Sequence, residues 1–266
     1  MPPTSRRLAR GSARLLCPQE QKDSERHFQE ETLVMTTHLF FGGTETTSNT
    51  LRYGLLILLK YPEVAGLRAG GPGMRGLGLG LAGVHGGCSS QPEPAPAKVQ
   101  AELDAVVGRM RAPSLEDRGR LPYTNGVLHE IQRFISVVPL GLPRALTPDT
   151  HLRGHFLPKG TFMIPLLVSA HRDPTQFKDP NSFNPRNFLN NEGEFQSNDA
   201  FTPFALGKQM CLGTGLARSE IFLFFTAILQ RFCLLPVGSP TNLDLTPQCT
   251  SLGNMPPAFQ LRLVTL

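Results

Sequence analysis

The stretch FALGKQMCLG, Phe204–Gly213, holds one cysteine, Cys211, just before an apolar segment that predicts a helix. A thiol at a helix N-terminus faces unpaired backbone N–H groups and the positive end of the helix dipole, which together stabilise a thiolate. Gly207 and Gly213 allow the backbone to approach the sulfur closely, and Phe204 can shield it from water. The pattern suits a sheltered thiolate that offers a metal one soft ligand, and an inert buried cysteine is the alternative.

Other functions for this cysteine have less support in the sequence. A nucleophilic cysteine needs a positioned histidine base, and sequence alone places none of the seven histidines beside it. A phosphate-binding loop is excluded, because no Gly-Lys-Ser/Thr stands at the required spacing. The five cysteines show neither paired nor metal-type spacing, which is a poor disulfide framework and fits a reducing compartment.

Composition narrows the class of partner. The formal charge of +5 suits an acidic partner or a membrane surface, and it is too small an excess to indicate nucleic acid. No apolar run approaches the roughly 18 residues of a transmembrane helix, so the sequence predicts none.

The pattern of apolar residues predicts a mainly α fold with a small β part. Leucines recur at helical spacing between residues 31 and 60, and two further helices are predicted at 121–136 and 214–232. Residues 151–168 predict a hairpin whose turn is Pro158–Gly160, and a last strand is predicted near the C-terminus.

Two segments fall outside this pattern. Residues 1–27 predict a disordered basic leader, with an organelle transit peptide as the alternative. Residues 66–96 contain ten glycines and predict a flexible insert. If the insert is removed, its flanks join into one amphipathic helix with a shared apolar face, formed by Val64, Val99, Leu103 and Val106.

Four motifs in order resemble those of the cytochromes P450. FALGKQMCLG resembles the haem-binding signature, GGTETT (42–47) the oxygen-activating helix, EIQR (130–133) the Glu-x-x-Arg pair, and FNPRNF (183–188) the loop between that pair and the cysteine. The resemblance covers residues 28–266 apart from the insert and is closest to microsomal, vertebrate drug- and steroid-oxidising members. It implies a partial cytochrome P450 domain that corresponds to the C-terminal, haem-binding half of the fold.

The resemblance implies that the cofactor is haem b and that Cys211 is the axial ligand of its iron. In the family's signature an arginine that pairs a haem carboxylate stands at the position of Gln209, and glutamine keeps a hydrogen bond without the charge. Further haem contacts are implied for Phe204, Gly207, Gly213 and Arg144.

Other roles follow from the same resemblance. Thr46, with Glu45 before it, matches the residues that deliver protons for oxygen activation, and its hydroxyl can bond to a carbonyl one turn back. Glu130 and Arg133 share a helix face and match the family's buried pair. Asn187 stands where relatives carry Arg or His in the same network.

A substrate cavity with apolar walls is implied for the segment 137–144, which favours lipophilic substrates. Its wall residues are Val138, Leu140 and Leu142, and a turn near residues 252–255 contributes another wall. The N-terminal half of the family pattern, with its membrane anchor, has no match in the chain, so we expect apolar surfaces to be exposed.

The function expected from the resemblance is a haem-thiolate monooxygenase that inserts one oxygen atom from O2 into a xenobiotic, steroid or fatty-acid type of substrate. A truncated, inactive relative and a non-enzymatic interaction protein are the alternatives. The implied partners are NADPH–cytochrome P450 reductase and cytochrome b5, and no nucleic acid is expected. The implied location is the endoplasmic reticulum membrane; because no anchor is matched, the cytoplasm and the mitochondrion are alternatives.

Overall fold

Helices dominate the computed structural model, which describes residues 30–65, 98–248 and 253–266. The predicted leader 1–27 and insert 66–96 lie outside these ranges. The helices are α1 (Glu30–Lys60), α2 (Pro62–Ala65), α3 (Lys98–Val106), α4 (Pro122–Ile135), α5 (Leu167–His171) and α6 (Thr214–Arg231). The strands are β1 (Arg144–Ala145), β2 (Thr150–Leu152), β3 (His155–Leu157), β4 (Phe162–Met163), β5 (Phe232–Pro236) and β6 (Leu261–Thr265). The expected mainly α fold with a small β part is confirmed.

The chain divides into two units, residues 1–48 and 49–266, and the boundary falls within α1. The glycine- and threonine-rich stretch of the first unit stays helical although its composition is poor for a helix interior. The Thr46 hydroxyl donates to the Gly42 carbonyl 2.6 Å away, so this polar side chain is satisfied within the helix.

The core of the second unit lies where α1, α4 and α6 meet. Gly54 sits at the closest approach, because a Cβ there would stand 3.1 Å from a Phe225 ring carbon and 3.3 Å from Ile131 Cδ1. Each of the three helices buries its apolar face in this core. The buried side chains include Leu56, Ile57, Leu128, Phe222 and Leu229.

The helices on either side of the predicted insert contribute to the same core. Three of their apolar residues are buried: Val64 on α2, and Val99 and Leu103 on α3. Val106, also on α3, is partly buried and packs against the same core. The four residues therefore lie in or against the same core.

The predicted hairpin turn at Pro158–Gly160 was wrong. The hairpin is β2–β3, and its turn is Arg153–Gly154, with φ of 48° and 83°. Two successive positive φ angles match the twist of paired strands, which explains why this two-residue turn closes the hairpin. The Pro158–Gly160 turn instead leads to β4, which pairs with β1.

The helices predicted at 31–60, 121–136 and 214–232 correspond closely to α1, α4 and α6. β5 and β6 pair antiparallel from Phe232 with Thr265 to Pro236 with Leu261, which returns the C-terminus to the end of α6. Within the described ranges, none of the helices combines the length and hydropathy that a bilayer crossing requires.

Candidate functional site

Cys211 lies in a closed loop just ahead of α6. Gly213 is the N-cap of that helix, so the cysteine precedes the first helical turn. The Cys211 N–H donates to the Phe204 carbonyl at 2.9 Å, and Thr214 Oγ1 donates to the Cys211 carbonyl at 2.7 Å. The backbone of the cysteine is therefore held from both sides, while the residue itself is exposed.

The glycines of this loop have different roles. Gly207 has a φ of 79°, which few other residues adopt, and its carbonyl accepts from the Met210 N–H at 3.1 Å. A Cβ at Gly213 would lie 3.9 Å from Cys211 Sγ, which is ordinary contact. The turn thus requires Gly207 for its backbone geometry, whereas Gly213 leaves space beside the sulfur.

Exposed apolar side chains surround the cysteine in the sequence. We call Leu206, Met210, Leu212 and Leu216 the cysteine-loop surface, in which Leu212 reaches 94% exposure. Phe204 is half-buried and lies under the Arg218 guanidinium, 5.4 Å from its carbon to the ring centroid. Exposed apolar side chains that form one patch are typical of surfaces that bind a ligand or another chain.

Arg144 joins the segment 137–144 to the cysteine loop. Its guanidinium donates to the carbonyls of Leu206 at 3.3 Å and Gln209 at 3.5 Å. Leu140 and Leu142 of that segment are exposed, Val138 is partly buried, and the Gln209 side chain is exposed. The Arg144 cation therefore lies against the backbone of the cysteine loop.

These residues fit haem. Haem has a metal centre, an apolar macrocycle and two carboxylate groups. The thiol can bind the metal, the apolar surface can contact the macrocycle, and the guanidinium can pair with a carboxylate. Among the residues that the structure describes, no cluster of three or more His, Cys, Asp or Glu side chains is arranged to bind a metal ion.

Glu130 and Arg133 on α4 form an ion pair with no exposed surface on either side chain. Arg133 Nε and Nη2 each donate to one Glu130 oxygen at 2.7 Å. The remaining N–H groups of the guanidinium donate to backbone carbonyls of the later loops, those of His171 (2.7 Å), Pro180 (2.9 Å) and Ser182 (3.2 Å). All five donors of the arginine are thereby used.

The Glu130 carboxylate has two further donors. It accepts from the Asn184 N–H at 2.8 Å, and from Asn187 Nδ2 at 3.3 and 3.4 Å. Burial raises the pKa of Glu130, and the bonds from Arg133 act in the opposite direction. Asn187 also accepts the Lys178 N–H at 3.1 Å, so it links two loops without carrying a charge.

Sequence reasoning missed His171, which is 1% exposed and lies against the same pair. Burial, with the nearby Arg133 and Arg172 charges, lowers its pKa to about 4. No local pattern around His171 indicates burial, because its partners come from segments remote in sequence.

Sequence reasoning also missed the residue that fixes the turn near 253–255. Asn254 Nδ2 donates to the carbonyls of Ile135 at 2.8 Å and Ser136 at 3.0 Å. The backbone N–H of Asn254 donates to the Val137 carbonyl at 2.8 Å. The Tyr53 hydroxyl donates to the Met255 carbonyl at 3.0 Å. These bonds therefore hold the turn at the start of the segment 137–144. Residue 252, part of the predicted wall, lies outside the described ranges.

Glu45 and Thr46 lie in the first unit. The side chains of both residues are partly buried. The Thr46 hydroxyl donates to the Gly42 carbonyl. The preceding apolar residues Leu39, Phe40 and Phe41 are each more than half exposed.

Comparison with known proteins identifies the family. A family model for cytochrome P450 matches residues 8–66 and 92–263, which leaves 67–91 unmatched within the predicted insert. The chain is 46% identical over 244 residues to cytochrome P450 2F5 of Gorilla gorilla gorilla and to cytochrome P450 2F2 of Mus musculus. It is 42% identical over 244 residues to cytochrome P450 2B4 of Oryctolagus cuniculus.

Each of these alignments covers 91% of the chain and 43% of the relative, so the chain spans less than half the length of the curated relatives it matches. The family implies a haem cofactor, as expected from the sequence. With a family model that matches most of its residues and relatives above 40% identity, this chain belongs to the cytochrome P450 family.

Proposed function

We propose that this chain provides the haem-binding part of a monooxygenase that inserts one oxygen atom from O2 into a lipophilic organic substrate. The observation that carries the proposal is the exposed Cys211 thiol on a backbone fixed by Phe204 and Thr214, beside an apolar surface. Haem, when bound, supplies the activation of oxygen and its transfer to substrate.

The residues around the cysteine have roles that follow from their positions. Cys211 would hold the haem iron through its sulfur, and the cysteine-loop surface would contact the apolar part of the macrocycle. Arg144 and Gln209 are the proposed partners of its carboxylates, Arg144 through charge and Gln209 through its amide. Phe204, Gly207 and Gly213 hold the loop that presents the sulfur.

The proposed proton path uses Thr46 and Glu45. The Thr46 hydroxyl donates its hydrogen to the Gly42 carbonyl, so the lone pairs of its oxygen are oriented to accept a hydrogen bond from a proton donor on the other side. Glu45 is the proposed source of that proton. The proposed substrate walls are Val138, Leu140 and Leu142, whose side chains exclude water from the reaction.

The partners and location are proposed from the family alone. NADPH–cytochrome P450 reductase and cytochrome b5 are the proposed electron donors, and the endoplasmic reticulum membrane is the proposed location. The proposed domain comprises residues 28–266 with 66–96 as an insert and 1–27 as a leader.

An inactive relative of the family is the competing proposal. The exposed side chains of the cysteine-loop surface favour it, because ligand sites normally enclose most of the ligand in a concave pocket. A chain of this kind would retain the fold without turnover.

Reduced haem with carbon monoxide tests whether Cys211 binds the haem iron. The chain is expressed with haem supplied, reduced, and exposed to carbon monoxide, and we expect the red-shifted Soret band of thiolate-ligated haem. Cys211→Ser should abolish the red shift, and the matched control Cys233→Ser on β5 should keep it. Binding of haem by Cys211→Ser with an unchanged band would overturn the assignment of the ligand.

Activity is tested on the same material. Oxidation of a lipophilic probe with reductase and NADPH supports the monooxygenase, whereas the red-shifted band without turnover supports the inactive relative. Gln209→Arg should increase haem retention by adding a charge-assisted bond. Unchanged retention would contradict a carboxylate contact at this position.

A further inference from the structure

We infer that His171 is a positioning residue that ties the buried Glu130–Arg133 pair to the loop that carries Cys211. The inference deepens the proposed function, since it rests on Cys211 as the haem ligand. His171 touches neither haem nor substrate; it acts through the backbone of the loop.

The hydrogen bonds around the His171 ring determine its tautomer. The Thr202 backbone N–H points at Nε2 from 3.1 Å, and a backbone N–H can only donate, so Nε2 must carry a lone pair. The proton of the neutral ring is therefore on Nδ1, which lies 2.8 Å from Ser136 Oγ. The serine hydroxyl in turn donates to the Arg133 carbonyl at 3.0 Å. Each donor has one acceptor, so the ring has a single satisfied orientation.

His171 is also held through its backbone. Arg133 Nη1 donates to the His171 carbonyl at 2.7 Å, while Ser136, the residue after α4, holds the ring. Ser136 has a φ of 40°, the left-handed conformation that ends the helix and turns its side chain to this position. Side chain and main chain of His171 are thus both fixed to the end of α4.

The other side of the ring holds the segment that leads to the cysteine. The Phe201 ring stacks on His171 with centroids 5.8 Å apart and an interplanar angle of 29°. Beyond the bond to Thr202, the Ala205 N–H donates to the Thr202 carbonyl at 3.1 Å. The Phe204 carbonyl then accepts the Cys211 N–H at 2.9 Å. A continuous series of contacts therefore runs from the ion pair to the backbone of Cys211.

Substitution of His171 by each of the two amide residues tests its bonds to Thr202 and Ser136 separately. His171→Gln places a side-chain oxygen near the position of Nε2, so it can accept from Thr202. His171→Asn is shorter and reaches only the position of Nδ1, so it loses Thr202. His171→Phe keeps the stacking on Phe201 and loses both bonds, and the exposed His155→Asn is the matched control.

The readout is residue-resolved amide hydrogen exchange in the haem-free full chain. We expect His171→Asn and His171→Phe to speed exchange at Thr202, Ala205 and Cys211 by at least about tenfold, with the β5–β6 amides unchanged. His171→Gln should restore slow exchange at Thr202, and His155→Asn should behave as wild type. Ser136→Ala offers a second variant, which should speed exchange at Thr202 by freeing the ring.

Two results would overturn the inference. One is wild-type exchange at Thr202 and Cys211 in both His171→Asn and His171→Phe. The other is equal acceleration at the β5–β6 amides, which indicates a loss of global stability. Because no haem is present, these outcomes are independent of the carbon monoxide test of the proposed function. If that test succeeds, His171→Asn should also lower the share of haem with the red-shifted band, and His171→Gln should recover it.

Discussion

At the scale of single residues, Glu130 and Arg133 show how a fully buried ion pair is retained in the core. Removing two charges from water is costly, and only complete hydrogen bonding offsets the loss. Here the arginine uses all its donors, and its guanidinium carbon lies 5.2 Å from the centroid of the Phe177 ring. The pair thereby fixes the loops that contain His171, Pro180 and Ser182.

Loss of one member of this pair is expected to be severe. Glu130→Ala leaves the Arg133 charge buried without a counter-ion, so we expect a loss of roughly 3–5 kcal/mol in the free energy of unfolding. Urea denaturation measures it. Asn187→Ala, the control, removes the two long bonds to the carboxylate and the bond from the Lys178 N–H but no charge, and should cost about 1–2 kcal/mol. A loss below about 1 kcal/mol for Glu130→Ala contradicts the role of the pair.

Two buried histidines predict acid sensitivity. Burial lowers the pKa of His129 and of His171 from 6.5 to about 4, so both stay neutral in the folded chain while the unfolded chain protonates them. Their stabilisation is complete above pH 6.5 and is lost as the pH falls toward 4. Each neutral histidine should contribute a slope of about 1.4 kcal/mol per pH unit in that window.

The raised pKa of Glu130 acts with the opposite sign, so the histidine contribution is best isolated by difference. Unfolding free energies measured between pH 4 and 7 should rise less steeply in His129→Phe than in the unchanged chain. Parallel pH profiles for the two chains would show that folding does not lower the pKa of His129.

At the scale of elements, α3 caps α4. The Glu102 carboxylate of α3 accepts the N–H groups of Tyr123 at 2.9 Å and Thr124 at 2.8 Å, and the Thr124 hydroxyl at 2.6 Å. These N–H groups belong to the first turn of α4. N–H groups at that position have no carbonyl acceptor within their own helix. The cap joins the element after the predicted insert to the helix that carries the ion pair.

The cap gives a local prediction. Glu102→Ala should cost about 1–2 kcal/mol, since two helix N–H groups lose their acceptor and a negative charge leaves the helix N-terminus. Thermal unfolding measures the loss, and amide exchange at Tyr123 and Thr124 should quicken. The exposed Glu116→Ala is the control and should change stability by less than about 0.5 kcal/mol. Equal effects from the two variants would argue against the cap.

At the scale of the whole molecule, the unmatched residues 67–91 fall between two helices that share a buried face. A chain from which these residues are deleted keeps every described contact. Because a shorter connection loses less entropy on closure, we expect stability to rise by about 1 kcal/mol.

Circular dichroism and urea denaturation test this deletion. Helix content should stay the same and the unfolding midpoint should rise. A loss of cooperative unfolding would show that residues 67–91 contribute to the fold. A deletion of equal length within 98–248 should abolish folding, because that range supplies most of the core.

The amino-acid sequence alone determined the three longest helices and the family. The limits of α1, α4 and α6 follow from apolar periodicity and from residues such as Pro122, which act within a few positions of chain. The four motifs were enough to identify a cytochrome P450, since each is a short run of neighbouring residues. Local chemistry is therefore recoverable from local sequence.

Only the tertiary structure decided which residues pack together. The bonds of Arg133 to His171 and of Asn254 to Ile135 join residues 38 and 119 positions apart, and no periodicity marks them. The hairpin turn was mispredicted for a related reason: Arg153–Gly154 and Pro158–Gly160 are both locally acceptable as turns, and the strand pairings decide which of them closes the hairpin. Burial depends on what covers a side chain, and the covering residues come from segments that meet only when the chain folds.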